Sequence, residues 1–235
     1  PIKETFTKSD NSIYHAMITE HHINIQKTAR YMTYGHLNRQ TTHLWFVLHG
    51  YGHLAADFIG NFSALSPSQH YVIAPEALSR FYWNGYRGKI SASWMTSEDR
   101  LHEITDYVAY LNQLYAEIIQ NLPDEFMPEI NLLGFSQGST TLSRWFADGK
   151  VQANKVIFWS GDLGHDVDWN KAAKLYHQTE AFYVYGTNDE LISLENFKLQ
   201  SQLLNHHHIP FTTIEFDGKH VIPEDVLLKH FVPTP

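Results

Sequence analysis

The chain has 235 residues, 43% of them hydrophobic and 18% charged, with a formal net charge of −8. This size and composition suit one globular domain, so we expect a single domain over residues 1–235 without a separate cap domain. The acidic balance argues against nucleic acid as a partner, because that affinity comes mainly from phosphate neutralisation. The lack of cysteine removes disulfides, thiolate zinc sites and cysteine nucleophiles.

No stretch of the sequence approaches the roughly 20 apolar residues that a membrane-spanning helix needs. No signal peptide is visible, although one removed before Pro1 would leave the same sequence. The expected location is the cytoplasm. The sequence indicates no particular oligomeric state.

The first predicted elements lie in residues 14–35, whose alternation favours an antiparallel strand pair. Six short apolar runs follow, each ending close to a turn residue. They cover residues 43–48, 71–74, 130–133, 156–159, 182–185 and 211–216. Short, nearly continuous apolar runs of this kind are typical of the buried strands of parallel sheets.

Helical patterns occupy three of the gaps between these runs. They lie at about residues 97–121, 138–148 and 193–205. Thr96 and Asp99 are placed to form a capping box at the first helix, Gly149 to end the second, and Ser193 to cap the third. Strands that alternate with helices predict an α/β fold. We expect a mostly parallel central sheet with helices on both faces and the antiparallel pair at its N-terminal side.

The segment Gly134-Phe135-Ser136-Gln137-Gly138 fits the pattern G-x-S-x-G and stands between a predicted strand and a predicted helix. In that arrangement the serine occupies a sharp turn, and the glycines avoid a clash where strand and helix close together. The turn exposes the hydroxyl at a helix N-terminus, where N–H groups can face a developing negative charge. Ser136 is therefore the candidate nucleophile; the alternative is a glycine-rich turn with a helix-capping serine.

A serine hydroxyl is a poor nucleophile unless a base removes its proton and an acid orients that base. In this fold the acid and then the histidine follow the serine along the chain. Asp189 comes just after the fifth apolar run and His220 just after the sixth, so both are expected at the same sheet edge as Ser136. Glu190 is the alternative acid. A turn residue and a surface histidine are the simpler interpretations of Asp189 and His220.

Acyl transfer also needs donors for the oxyanion that forms on the carbonyl. The backbone N–H of Gln137, directly after the serine, is expected to supply one. The loop after the first apolar run, His49-Gly50-Tyr51-Gly52-His53, can bring a second N–H close, and Tyr51 is the expected donor. The alternative is a tight turn into a helix.

Two histidine tracts, His21-His22 and His206-His207-His208, raise the question of metal binding. Neither has a partner at a spacing such as H-E-x-x-H. We therefore interpret both as solvated turns and predict no metal site.

With these residues the chain resembles an α/β-hydrolase, and more narrowly the phospholipase/carboxylesterase family, which includes bacterial carboxylesterases and acyl-protein thioesterases. The resemblance extends from about Leu44 to Val232. It rests on the segments at 48–52, 74–77, 92–94, 134–138, 186–189 and 218–220. It implies Ser136 as nucleophile, Asp189 as acid, His220 as base, and the N–H groups of Tyr51 and Gln137 as the oxyanion hole.

Aromatic residues crowd the segment at residues 78–97. They either wall an acyl pocket or pack on the fold for stability. Trp94, Tyr82 and Trp83 are the candidate substrate-binding residues, and Trp94 is the strongest because it matches a position of the family.

These features predict a serine hydrolase that cleaves carboxylic esters or thioesters through an acyl-enzyme on Ser136. The substrate is expected to be a small molecule, and neither a metal nor an organic cofactor is required. A peptidase or a dienelactone-type hydrolase is the first alternative, because a fold does not settle chemistry. A binding protein without turnover is the second, disfavoured because each catalytic position carries a competent residue.

Overall fold

The computed structural model describes residues 18–123 and 126–232. The strands in this part are β1 (Tyr31–Tyr34), β2 (His43–Leu48), β3 (His70–Pro75), β4 (Ser79–Tyr82), β5 (Ile90–Ser93), β6 (Glu129–Phe135), β7 (Lys155–Trp159), β8 (Glu180–Gly186) and β9 (Thr212–Phe216). Seven of them form one sheet in the order β1-β3-β2-β6-β7-β8-β9, and β4 and β5 form a separate antiparallel hairpin.

Helices connect these strands. They are α1 (Ala55–Phe58), which continues into a 3₁₀ turn at Ile59–Phe62, α2 (Arg100–Gln120), α3 (Gln137–Ala147), α4 (Trp169–Tyr176), α5 (Leu194–His206) and α6 (Glu224–Phe231). In the part of the chain that the structure describes, none of these helices has the length and apolar character to cross a bilayer.

The sheet is parallel from β3 to β9, and only β1, at its edge, runs antiparallel to its neighbour β3. Every residue of β2 is buried, which explains why the strand appears as an unbroken apolar run. Because parallel strands end at the same edge, the loops after β2, β6, β7, β8 and β9 meet there.

The side chains of β2 alternate between two cores, one on each face of the sheet. Leu44 and Phe46 join the core that α2 and α3 cover. Trp45 and Val47 join the second core, which α1 and α6 cover. This period of two is the geometric consequence of a strand packed on both sides, and it confirms the expected layering of helices on both faces.

The N-terminal antiparallel pairing is confirmed, with β1 paired to β3 in the register Tyr31 to Pro75. Residues 18–30 form no strand, and residues 14–17 lie outside the described residues. All six apolar runs become strands of the main sheet.

The three predicted helices exist, with α2 beginning at Arg100. The expected capping box is wrong, because Asp99 precedes α2 with a positive φ of 48° and its side chain caps no N–H group of the helix. Thr96 instead donates its backbone N–H to Glu103 Oε2 at 2.6 Å. Ser193 does cap α5, accepting from Asn196 N at 3.2 Å, and Gly149 ends α3 with a φ of +77°.

Candidate active site

Ser136 lies in the turn between β6 and α3 and has backbone angles of φ 54° and ψ −120°. Residues other than glycine rarely adopt a positive φ. The strand and the helix pass each other very closely: a Cβ on Gly134 would overlap the carbonyl of Gly138, and a Cβ on Gly138 would overlap that of Leu48. The two glycines therefore permit a turn that a chain with larger residues could not make.

Hydrogen bonds hold this turn from both sides. Ser136 N donates to Trp159 O at 2.9 Å, and Ser139 N donates to Ser136 O at 2.9 Å. The hydroxyl of Ser139 donates to Gly134 O at 2.6 Å. Ser136 itself is only half-buried, so its side chain faces the edge of the sheet.

His220 and Asp189 form the second part of the site. The Nδ1 atom of His220 lies 2.8 Å from Asp189 Oδ2, and the Asp189 side chain is 0% exposed. Its other oxygen, Oδ1, accepts the backbone N–H groups of Leu191 and Ile192, both at 2.9 Å. Burial alone would raise the pKa of Asp189, but the hydrogen bonds from Ile192, His220 and Leu191 outweigh it and hold this pKa below its usual value.

Asp189 contacts Nδ1 of His220, so the opposite ring nitrogen, Nε2, remains available to another group. The imidazole lies 4.7 Å, centroid to centroid, from the ring of Phe135, the residue before Ser136. Among the hydrogen bonds of the described residues there is none between Ser136 Oγ and His220. Catalytic hydrogen bonds are often long without substrate and tighten when it binds. Ser136 and His220 thus lie at the same edge of the sheet, after β6 and β9.

Glu190, the alternative acid, is placed elsewhere. Its carboxylate pairs with Lys219 Nζ at 3.2 Å and is largely exposed. The neighbouring Asp189 is the carboxylate that contacts the imidazole.

The loop after β2 passes directly over the serine. A Cβ on Gly50 would lie 3.1 Å from Ser136 Cβ, so a larger residue there would crowd the serine. The loop turns tightly, with His53 N donating to Gly50 O at 3.3 Å and Gly52 N donating to Ala92 O at 2.9 Å. Within the described residues, the N–H of Tyr51 has no acceptor, and that of Gln137, the first residue of α3, has no helical one.

His49, at the start of this loop, holds it through contacts of its ring, and no sequence motif indicates this role. Its ring is fully buried, and Nδ1 lies 2.8 Å from Gly50 O. Because Ala77 N can only donate, to Nε2 at 3.1 Å, the ring hydrogen must sit on Nδ1 and the imidazole is neutral. Burial lowers the pKa of His49 to about 4, which is consistent with that state.

The three candidate substrate-binding aromatics occupy different places. Trp94 is 1% exposed, and its indole N–H donates to His49 O at 2.8 Å, so it supports the loop from the core. Trp83 is 44% exposed and lies 5.5 Å from the Tyr51 ring. Tyr82 is 52% exposed and lies on the face of β4 opposite to Phe81, which stacks on Tyr51. Of the three, only Trp83 borders the loop from the solvent side.

The side chain of Gln137 links the turn to the segment after β5. Its Oε1 accepts from Trp94 N at 3.1 Å, and its Nε2 donates to Met95 O at 2.9 Å. The backbone at Gln137 is thereby held in place by its own side chain.

Two further polar side chains border the site. The His53 ring lies parallel to Phe135 at 5.9 Å, and burial and the charges of Lys89 and His220 lower the pKa of His53. Asp162 follows β7 beside the nucleophile turn, and burial raises its pKa. Neither residue belongs to the G-x-S-x-G segment or to the two segments that supply Asp189 and His220.

A cleft of about 650 Å³ lies at the amino ends of the strands, lined by Pro128, Gln152 and Gln178 among others. Ser136 follows the carboxyl end of β6, so this cleft lies at the opposite edge of the sheet from the candidate active site.

A serine in a strained turn, an imidazole that contacts a buried carboxylate, and nearby N–H groups of the backbone are the parts needed for acyl transfer by a serine hydrolase. The chain belongs to the FSH1 serine hydrolase family, whose model matches residues 63–232. This range contains Ser136, Asp189 and His220 and begins after the loop of Tyr51. The expected class of serine hydrolase is confirmed.

Solved structures share the fold. Acyl-protein thioesterase 2 of Zea mays is 15% identical, with a TM-score of 0.63, covering 86% of this chain and 96% of that one. A phospholipase/carboxylesterase from Dyadobacter fermentans is 20% identical, with a TM-score of 0.61, covering 89% and 98%. These similarities establish the α/β-hydrolase fold. No curated protein matches the chain.

Proposed function

We propose that this protein is a single-domain, cytoplasmic esterase that hydrolyses small acyl esters or thioesters through an acyl-enzyme on Ser136. The observation that carries the proposal is the positive φ of Ser136 at the end of β6, beside an imidazole held 2.8 Å from the buried carboxylate of Asp189. Membership of a serine hydrolase family supports it. So do the printed names of the structural neighbours, a thioesterase and a carboxylesterase.

In the first half of the reaction, Nε2 of His220 takes the proton of Ser136 Oγ, and Oγ bonds to the acyl carbon. The carbonyl π electrons move to oxygen, where the N–H groups of Tyr51 and Gln137 stabilise the charge. The intermediate collapses, the bond to the leaving group breaks, and His220 gives its proton to the departing alkoxide or thiolate.

In the second half, water replaces the alcohol or thiol. His220 removes a proton from the water, the hydroxide attacks the acyl-enzyme, and Ser136 regains its proton as the acid departs. Asp189 stays ionised throughout because its pKa is below the usual value. Its charge keeps the ring hydrogen on Nδ1 and stabilises the imidazolium.

The test is hydrolysis of para-nitrophenyl esters, from acetate to palmitate, compared with an aminoacyl para-nitroanilide. The native chain should cleave the esters, and Ser136→Ala should reduce turnover to background while folding normally. Cleavage of the anilide in preference to every ester would favour a peptidase. No turnover of either substrate class would favour a binding protein.

A further inference from the structure

The N-terminal segment meets the start of α2 through two histidines and an aspartate. His22 Nε2 lies 3.1 Å from Asp99 Oδ2, and His102 Nδ1 lies 2.6 Å from Asp99 Oδ1. The two imidazole rings stack at a centroid distance of 3.9 Å. One ligand atom from each of these residues lies within 4.8 Å of the other two, the one such group found among the described residues.

One ring nitrogen of this cluster faces two carboxylates. His22 Nε2 lies 3.0 Å from Glu20 Oε1 as well as 3.1 Å from Asp99 Oδ2, yet a ring nitrogen carries at most one hydrogen. Nε2 of His22 can therefore donate to only one of these two carboxylate oxygens at a time. A cation among them would satisfy the carboxylates and the ring nitrogens together.

Asp99 departs from the usual behaviour of its position. An aspartate before a helix normally accepts an N–H of the first turn, but here neither oxygen does so. Both oxygens face the histidines, and the residue adopts a positive φ of 48°, which is uncommon for a residue other than glycine. The side chain and the backbone are thus committed to the cluster rather than to the helix.

We propose that His22, Asp99 and His102 bind a divalent cation of the zinc type, which fastens the N-terminal segment to the start of α2. Two imidazole nitrogens and a carboxylate oxygen are the ligands that zinc and similar borderline cations prefer. Glu20 is near enough to join, and water can complete the coordination. The site is exposed and shares no residue with the candidate active site, and we assign it a structural role.

The site is distinguishable from other histidines of the surface. His21 is adjacent to His22 in sequence but is not part of the cluster, and it is the matched control. The tract His206-His207-His208 is a second control, because His207 Nδ1 is already paired with Asn170 Oδ1 at 3.0 Å.

The experiment is calorimetric titration of the full chain, free of any polyhistidine tag, with zinc chloride. The native chain and His21→Ala should each bind one ion. His22→Ala and His102→Ala should each lose affinity by more than the roughly 10- to 100-fold that is typical when a group hydrogen-bonded to a metal ligand is removed. All of these side chains are exposed, and circular dichroism checks that each variant folds.

A second measurement reports the fastening itself. Zinc should raise the melting temperature and slow tryptic cleavage after Lys27 in the native chain and in His21→Ala, and a chelator should reverse both effects. Neither effect should appear in His22→Ala. Absence of saturable binding, or equal binding by the native chain and His22→Ala, would overturn the proposal. Binding that disappears only in His207→Ala would move the ion to the other tract.

Discussion

Ser136 occupies backbone angles, φ 54° and ψ −120°, that a residue with a Cβ adopts only under strain. Such a conformation destabilises the folded state by on the order of 1–3 kcal/mol, and a glycine at this position would relieve part of that strain. We expect Ser136→Gly to unfold with a free energy about 1 kcal/mol higher than Ser136→Ala. Urea unfolding of the two inactive variants measures this difference, and a less stable glycine variant would show that the turn is unstrained.

At the same scale, Asp189 and Glu190 are neighbours with opposite expectations. Asp189→Asn should lower kcat by on the order of 10³–10⁴, because an amide no longer enforces the ring hydrogen on Nδ1 of His220. Glu190→Gln should leave kcat within about twofold, since its carboxylate is an exposed partner of Lys219 and such pairs contribute little. Steady-state kinetics on one ester compares them. Equal losses would indicate that both carboxylates act on the imidazole.

Sequence can predict candidate site residues that belong to a motif or follow it in a fixed order along the chain. Ser136, Asp189 and His220 follow from the pattern G-x-S-x-G and the order of residues after strands. His49 was not predictable, because its role depends on the carbonyl of Gly50 and the N–H of Ala77, which only the folded chain brings together. The same limit applies to metal ligation.

His22 has no ligand partner nearby in sequence, and the expectation of a solvated turn followed from that. Its partner Asp99 lies 77 positions away. Spacing rules detect ligands on one helix or hairpin, and they cannot detect ligands that tertiary packing assembles.

At the scale of elements, the hairpin of β4 and β5 covers the loop that carries Tyr51. Trp83 packs against that loop, where a Cβ on Gly52 would lie 2.8 Å from its ring. We expect Trp83→Ala to lower kcat/KM by about 10-fold or more, because small displacements of catalytic groups are costly. Tyr82→Ala is the matched control on the opposite face and should change kcat/KM by less than about twofold.

The two variants are compared on the same para-nitrophenyl ester. A larger loss in Tyr82→Ala than in Trp83→Ala would place the substrate on the other face of the hairpin. The sequence predicts a substrate-binding role for Tyr82, Trp83 and Trp94 alike. It does not distinguish the buried Trp94 from the two exposed side chains.

The elements that sequence predicted well are those with a strong period. Strands such as β2 are buried on both faces and therefore appear as unbroken apolar runs. The hairpin was missed although Asn84-Gly85, with φ values of 63° and 90°, is a turn signal. Its aromatic residues are equally consistent with a pocket. Helices α4 and α6 were missed because eight residues show too few periods.

At the scale of the whole molecule, buried histidines couple stability to pH. Burial lowers the pKa of His49 and of His70 to about 4, and it also lowers that of His43, which stacks on His70. The unfolded chain, with histidine near 6.5, binds more protons than the folded chain between these values. The free energy of unfolding should therefore be highest above pH 6.5 and should decrease as the pH falls towards 4. For the fully buried His49 the decrease is on the order of 3 kcal/mol.

The carboxylates affect stability over a lower range of pH. Arginine pairing holds the pKa of Glu76 and Asp166 below their unfolded values of 4.5 and 3.8, against the effect of burial, so their contributions are lost only below about pH 4.5. Urea unfolding at several pH values measures how steeply the free energy of unfolding changes between pH 6.5 and 5. His70→Gln keeps an acceptor for the Trp45 indole, and it should reduce this slope. A native slope of zero would contradict the account.

The central claim is that Ser136 is an activated nucleophile. The most direct measurement is the intact mass of the protein after incubation with a fluorophosphonate, for the native chain, Ser136→Ala and the surface control Ser68→Ala. The account predicts one probe mass on the native chain and on Ser68→Ala, mapped to the peptide that contains Ser136, and none on Ser136→Ala. An unlabelled native chain, or a label that persists in Ser136→Ala, would contradict it.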